Sequence, residues 1–248
     1  MERRQVRSFV GKVLAITTAL CCGSAVVAQD TGWRFYGSFY IYGADTDTTI
    51  GSLESELSFS DAFDNLDLAF MGTVEARNGR WSLIADYMRT DLSFEGDTPG
   101  PVFSGAETSL KTQFFSGYAA YTAYQDQTLA LDVGAGFRWF ETSSTIALVG
   151  GPTPAPSSRT SEDWVDPLIA ARIRYQINDR WSAVVLADYG GFRSDRETGQ
   201  FLATVGYAIT PKWNLRAGYR YITVDKGEGD SRFKLSQSGP VVGVTYSF

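Results

Sequence analysis

The chain has 248 residues, with 22 Lys and Arg against 28 Asp and Glu, a net charge of −6, and no histidine. That balance disfavours nucleic acid as a partner, because a phosphate backbone needs a basic patch. The lack of histidine removes the one side chain that exchanges protons near neutral pH at its ordinary pKa, which weighs against acid–base catalysis.

Residues 1–28 read as a secretory signal. Arg3, Arg4, Arg7 and Lys12 form a basic start, Val13 to Leu20 is a short apolar run, and Ala28 ends a stretch of small residues suited to cleavage. The run is too short to span a bilayer, which takes about 20 residues. Cys21 and Cys22 both lie here, and neither follows a small residue as a lipid-anchor site would require. The Arg3-Arg4 pair invites a twin-arginine reading, but its flanking residues fit poorly. Cleavage after Ala28 leaves residues 29–248 with 18 basic against 27 acidic residues. No later stretch approaches about 18 consecutive apolar residues, so no spanning helix is expected.

The remaining chain reads as strands. Trp33 to Tyr42 is a first, aromatic-rich strand, followed by a long polar connection over 43–65. Leu66 to Ala76 alternates, with Leu66, Leu68, Phe70 and Val74 opposite Asp67, Met71, Thr73 and Glu75. A period of two marks a strand whose faces meet different solvents. Asn78-Gly79 signals a tight hairpin, and Trp81 opens a strand to about Leu92 with Asp86 on the polar side. A second polar connection covers 93–109. Leu110 to Tyr124 is a strand of mixed parity, turned by 125–127. Leu129 to Trp139 then places Asp132 and Arg138 opposite its apolar residues, before a proline-bearing connection over 141–163 with Pro152, Pro154 and Pro156.

The clearest alternation runs from Val165 to Ile177. Asp166, Leu168, Ala170, Arg172, Arg174 and Gln176 oppose an apolar row, and Asn178-Asp179-Arg180 turns the chain into Trp181. This returning strand carries Asp188 and reaches Phe192. A connection at 193–199, a strand to Ile209, and a turn at 210–212 come next. Then Trp213 to Tyr221 places Arg216 and Arg220 opposite apolar residues; a polar stretch at 226–231 precedes the last strand, ending in Val242, Val244, Tyr246 and Phe248. No helix is present to cover an apolar face, so the charges belong inside and the apolar rows outside, in lipid.

Tight and long connections alternate, which is the habit of outer-membrane barrels with short periplasmic turns and longer outer loops. The count gives an all-β, closed antiparallel barrel of ten strands, with eight as the alternative. Trp81, Trp181 and Trp213 each leave a tight turn and would mark one membrane interface.

The segments FSDAFDNLDLAFMGTVEARNGRWSLIADY, WVDPLIAARIRYQINDRWSAVVLADYGGF and AGYRYITVD with SGPVVGVTYSF resemble small Gram-negative outer-membrane β-barrels, OmpA/OmpW-like in kind and similar to a poorly characterised subfamily. The resemblance implies fold and outer-membrane location, not a reaction. It also implies that Val242, Val244, Tyr246 and Phe248 form the signal read by the barrel-assembly machinery. After Gly190-Gly191 the family usually continues with more glycine, whereas this chain has Arg193-Ser194-Asp195-Arg196, which leaves the nature of that outer loop open. Barrel proteases, phospholipases and lipid A acylases or deacylases resemble one another in relying on histidine, absent here.

Ten charged residues fall on the inward parity: Glu75, Asp86, Asp132, Arg138, Asp166, Arg172, Arg174, Asp188, Arg216 and Arg220. They could cross-link a closed lumen, or some arginines could line a narrow path for small polar or anionic solutes. Asp45, Asp47, Glu54 and Glu56 could hold calcium through oxygen ligands, but they lack EF-hand spacing, so no metal or cofactor is expected. Leu53, Leu57, Phe59, Phe63 and Leu66 would lie on the barrel rim or form a lid, with Ser60 capping a short helix. The leading expectation is a non-enzymatic envelope barrel whose partners are outer-membrane lipid and whatever its outer loops bind. The alternative is a narrow, porin-like diffusion channel.

Overall fold

The computed structural model describes residues 32–50, 53–58, 60–61, 66–97, 103–151, 156–227 and 232–248. The signal read in residues 1–28, together with Phe59, Phe63, Pro152 and Pro154, lies outside these. The described strands are β1 (Trp33–Tyr42), β2 (Asp45–Ile50), β3 (Leu53–Leu57), β4 (Leu66–Asn78), β5 (Trp81–Asp97), β6 (Gly105–Gln125), β7 (Leu129–Val149), β8 (Ser157–Gln176), β9 (Trp181–Arg193), β10 (Arg196–Ala208), β11 (Trp213–Lys226) and β12 (Phe233–Ser247). Ten of them, β1 and β4 to β12, pair antiparallel in sequence order, and β1 closes the ring on β12 from Tyr36↔Ser247 to Tyr42↔Val241. The fold is the closed ten-stranded barrel that the alternation implies.

Its outer face carries the apolar rows. Phe39, Ile41, Val74, Leu83, Val165, Ile169, Ile209 and Val242 are all half exposed or more. A water-soluble protein does not wrap itself in such residues, whereas a barrel in lipid must. At the tight-turn end the interface tryptophans pair with tyrosines on adjacent strands: Trp81 with Tyr121, Trp181 with Tyr207, and Trp213 with Tyr246, at ring-centroid distances of 5.2, 5.0 and 4.8 Å. Aromatic side chains with one polar end suit a bilayer interface.

The turns at this end are locally determined. Gly79 takes a positive φ of 55° in the β4–β5 hairpin, a conformation that costs glycine nothing. Asp126 accepts the backbone N–H groups of Leu129 and Thr128 at 2.7 and 2.8 Å and the Tyr124 hydroxyl at 2.9 Å. Those donors, the Leu129 N–H first, hold its carboxyl down at about 2.

Several connections differ from the sequence reading. The stretch 93–109 contains the end of β5 and the start of β6, and 141–163 contains the end of β7 and the start of β8. Strands β6, β7 and β8 run 21, 21 and 20 residues, whereas a tilted membrane strand needs about 9–11. Their outer halves leave the bilayer and meet water on more than one face, so the period-two signal fades there. The polar connection 43–65 contains the hairpin β2–β3, with β2 added to β12 from Phe233↔Ile50 to Ser238↔Asp45. The connection at 193–199 reduces to a two-residue turn, Ser194-Asp195, between β9 and β10. Phe192 beside it has a φ of 52°, a left-handed conformation that non-glycine residues rarely adopt.

Parity in β6 was mixed for a traceable reason. Its register against β7 shifts between Thr122 and Tyr124, and aromatic residues occupy both faces: Phe114 and Tyr118 are buried, whereas Tyr121 and Tyr124 are exposed. Ser60 does not cap the short helical turn at 60–61. Ser58 does so, accepting the Asp61 N–H at 3.2 Å while donating its hydroxyl to the Asp61 carboxylate at 2.8 Å.

Candidate functional site

The ten inward charges assemble into layers inside the lumen. Midway up the barrel, Arg138 on β7 donates to both Asp188 oxygens on β9, at 3.1 and 2.9 Å. Its other nitrogens donate to Ser116 Oγ at 3.0 Å and Thr198 Oγ1 at 2.7 Å. Asp188 also accepts the Tyr118 hydroxyl at 2.8 Å and the Gln200 amide at 3.2 Å. Both charged side chains are essentially sealed, with 1% and 0% of their surface exposed. Their donors and acceptors are matched, as a buried pair requires.

Gln200 carries the network across the lumen. Its Oε1 accepts Arg220 Nε at 2.9 Å, and Arg220 donates onward to Asp86 at 2.7 Å and to the Tyr40 hydroxyl at 2.7 Å. Asp86 completes its shell with the Tyr40 and Thr73 hydroxyls, both at 2.8 Å. This belt ties β1, β4, β5, β6, β7, β9, β10 and β11 through side chains as well as through the sheet.

Nearer the tight turns lies a second layer. Asp132 receives Arg172 Nε at 2.8 Å and two bonds from Arg174 at 2.9 Å each. Arg172 also reaches Glu75 at 2.8 Å, and Arg77 clasps the same carboxylate at 2.6 and 3.0 Å. Arg216 stands beside this layer with Thr204 Oγ1 at 3.3 Å as its hydrogen-bond partner among the described residues. Asp166 sits toward the other end, accepting Trp164 Nε1 at 3.0 Å, with Arg196 at 3.6 Å.

On the outward side of the belt the lumen turns apolar. Met88, Phe114, Phe140, Trp164 and Ile222 each lie two residues beyond Asp86, Ser116, Arg138, Asp166 and Arg220 on the same inward rows, and all are buried. Phe140 packs on Phe114, Trp164 and Phe233 at centroid distances of 4.7, 4.4 and 5.6 Å, and Val224 and Leu235 complete the cluster. An apolar plug therefore crosses the bore directly outward of a sealed polar belt.

Sequence parity counts ten charged residues inward, and the structure places each of them among the lumen contacts above. Parity missed Arg77, which shares the parity of Glu75 but was assigned to the turn, and the neutral members Tyr40, Tyr118, Thr198 and Gln200. It also missed the plug, because buried Phe140 and Trp164 look like lipid-facing residues. Val242, Val244 and Phe248 face outward at 50%, 36% and 76% exposure, with Tyr246 between Trp213 and Phe248. In the first outer segment Asp47 stands opposite Glu56 in the β2–β3 backbone register. Among the described residues no cluster of three or more acidic side chains could hold a metal ion.

No protein-family model matches the chain, and no curated protein matches it. Solved structures do. The outer membrane protease OmpT from Escherichia coli aligns over 89% of this chain and 98% of its own, with a TM-score of 0.58 at 11% identity. Ail, the attachment invasion locus protein of Yersinia pestis, aligns over 88% of this chain and 99% of its own, with a TM-score of 0.39 at 12% identity. The Pseudomonas putida toluene transporter TodX aligns over 89% and 90%, with a TM-score of 0.35 at 11% identity. At such identities the likeness to OmpT concerns fold. Joined to the apolar outer belt and the aromatic interface, it makes this chain a transmembrane β-barrel of the bacterial outer-membrane type.

Proposed function

We propose that the protein is a non-conducting, non-enzymatic barrel of the outer membrane whose work is done on its outward-projecting β5–β8 wall and loops. The occluded lumen is the observation that carries this reading: the Arg138–Asp188 pair is sealed from solvent and the Phe114–Phe140–Trp164 cluster lies directly above it. A hydrated pore needs a continuous wet path, and a bore of about this width is readily filled by side chains. With the bore filled, the extended polar strands are the surface left for ligands or partners. The absence of histidine supports the non-enzymatic part. Assembly would proceed through recognition of Val242, Val244, Tyr246 and Phe248 on β12.

Planar-bilayer recording of the folded protein tests the reading. Insertion without discrete conductance steps is expected from the wild type, and steps are expected once both seals are thinned, by Phe140→Ala with Trp164→Ala in the plug and Arg138→Ala with Asp188→Ala in the belt. Ohmic steps from the wild type, with ion selectivity altered by Arg172→Ala or Arg174→Ala, would establish a diffusion channel instead.

A further inference from the structure

Below the belt, the tight-turn half of the lumen holds a cavity of about 260 Å³, slightly smaller than typical small-ligand sites of about 300–1,000 Å³. Its lining alternates in character around the barrel. Adjacent strands β9 and β10 supply an apolar wall of Val184, Leu186 and Leu202, flanked by Arg172 and Arg174 on β8 and by Arg216 and Arg220 on β11, with Arg77, Ile84 and Val241 further round.

The charges around the cavity do not cancel. The five guanidiniums meet three carboxylates, those of Glu75, Asp86 and Asp132, leaving a surplus of two positive charges. Arg77, Arg172, Arg174 and Arg220 each bind at least one of those carboxylates. Arg216 does not; its hydrogen bond runs to the neutral Thr204 hydroxyl. A cation withdrawn from bulk water and left without a counter-charge is costly, and an anion in the adjoining cavity would offset that cost. Arg77 and Arg174 keep 21% of their side-chain surface exposed, while Asp132 just behind them keeps 1%. The cavity is thus wet on the side of the tight turns and sealed toward the plug.

We propose that this chamber is a binding site for a small organic carboxylate, entered from the tight-turn, periplasmic end. The carboxylate lies on Arg216, with its apolar body against Val184, Leu186 and Leu202. Two oxygens on a planar acid match the fork of a guanidinium, and the apolar wall selects an organic acid over an inorganic anion. This adds a ligand to a barrel read as closed at its outer end. The bilayer recording tests that closure, whereas the binding experiment here reads occupancy of the chamber and can fail or succeed independently.

The test is calorimetric titration of benzoate into the folded protein in a neutral detergent, with empty micelles as the blank and heat-modifiable migration as the check of folding. Saturable binding that weakens with added salt is expected, at least tenfold weaker in Arg216→Gln and unchanged in Arg89→Gln near the outer end. Leu202→Phe, which fills the apolar wall, is expected to reduce benzoate binding without abolishing the folded band. Benzyl alcohol or inorganic phosphate binding as tightly as benzoate would overturn the proposal, the first by removing the role of charge and the second that of the apolar wall. Equal benzoate affinity in the wild type and folded Arg216→Gln would overturn it as well.

Discussion

At the scale of single residues, the sealed Arg138–Asp188 pair shows how matched hydrogen bonds decide whether a buried charge is tolerable. Asp188 is held by a guanidinium, a phenol and an amide; Arg138 by a carboxylate and three hydroxyls, those of Ser116, Thr198 and Tyr118. Asp188→Ala would leave Arg138 charged and enclosed and take acceptors from Tyr118 and Gln200. Removing one partner of such a pair costs about 3–5 kcal/mol, whereas replacing both with apolar residues of similar volume is often close to neutral. Asp188→Ala is therefore expected to lower the urea midpoint of the heat-modifiable band clearly. The double variant Arg138→Met with Asp188→Leu should recover most of the loss. Equal loss in single and double variants would show that packing, not an orphaned charge, dominates there.

At the scale of elements, legibility followed the solvent. The halves of β4, β7, β8 and β11 that cross lipid alternate because one face meets hydrocarbon and the other a polar lumen, so Glu75, Asp132, Arg172 and Arg220 could be placed by counting. The outer halves of β6, β7 and β8 could not. Ser143 to Thr145 and Ser157 to Ser161 are polar at consecutive positions, and neither face there imposes an apolar row. The β2–β3 hairpin was hidden likewise, in a polar segment whose pairing with β12 is set by backbone register rather than by side-chain pattern. Pro167 and Pro240 are tolerated in strands where ladders end or change partner. Pairing of β8 with β9 begins at Leu168↔Gly190, and Pro240 lies between the β1 and β2 partners of β12, its carbonyl accepting the Gly43 N–H at 2.9 Å. Thr48 sits within the hairpin, opposite Leu235 on β12 and Ser55 on β3. Thr48→Pro removes a ladder donor and should release the hairpin without opening the barrel. Faster protease cleavage within residues 43–65, with the heat-modifiable shift intact, is expected. Unchanged protection would mean that side chains rather than the ladder hold the hairpin.

At the scale of the whole molecule, the lumen is graded along its axis. An apolar plug toward the outside gives way to a sealed polar belt and then to a wet, cationic chamber at the tight-turn end. The sheet around it has no edge within the membrane, because Tyr36 to Tyr42 pair with β12 on one side and the Trp33–Phe39 part of β1 pairs with β4 on the other. The Phe248 N–H also donates to the Phe35 carbonyl at 3.1 Å, so the two ends of the barrel chain meet at one point. The polypeptide is in effect a hoop, and where it is cut is a matter of biosynthesis rather than of architecture. Linking Phe248 to Trp33 by a few residues and opening the hoop at Asn178–Arg180 should yield a circular permutant that refolds in detergent with the parent's thermal band shift. Loss of the shift in that permutant would show that chain order, and not only the ring of pairings, holds the barrel together. Closure of β1 on β12 thereby turns the strand sequence into a circle with no privileged first member.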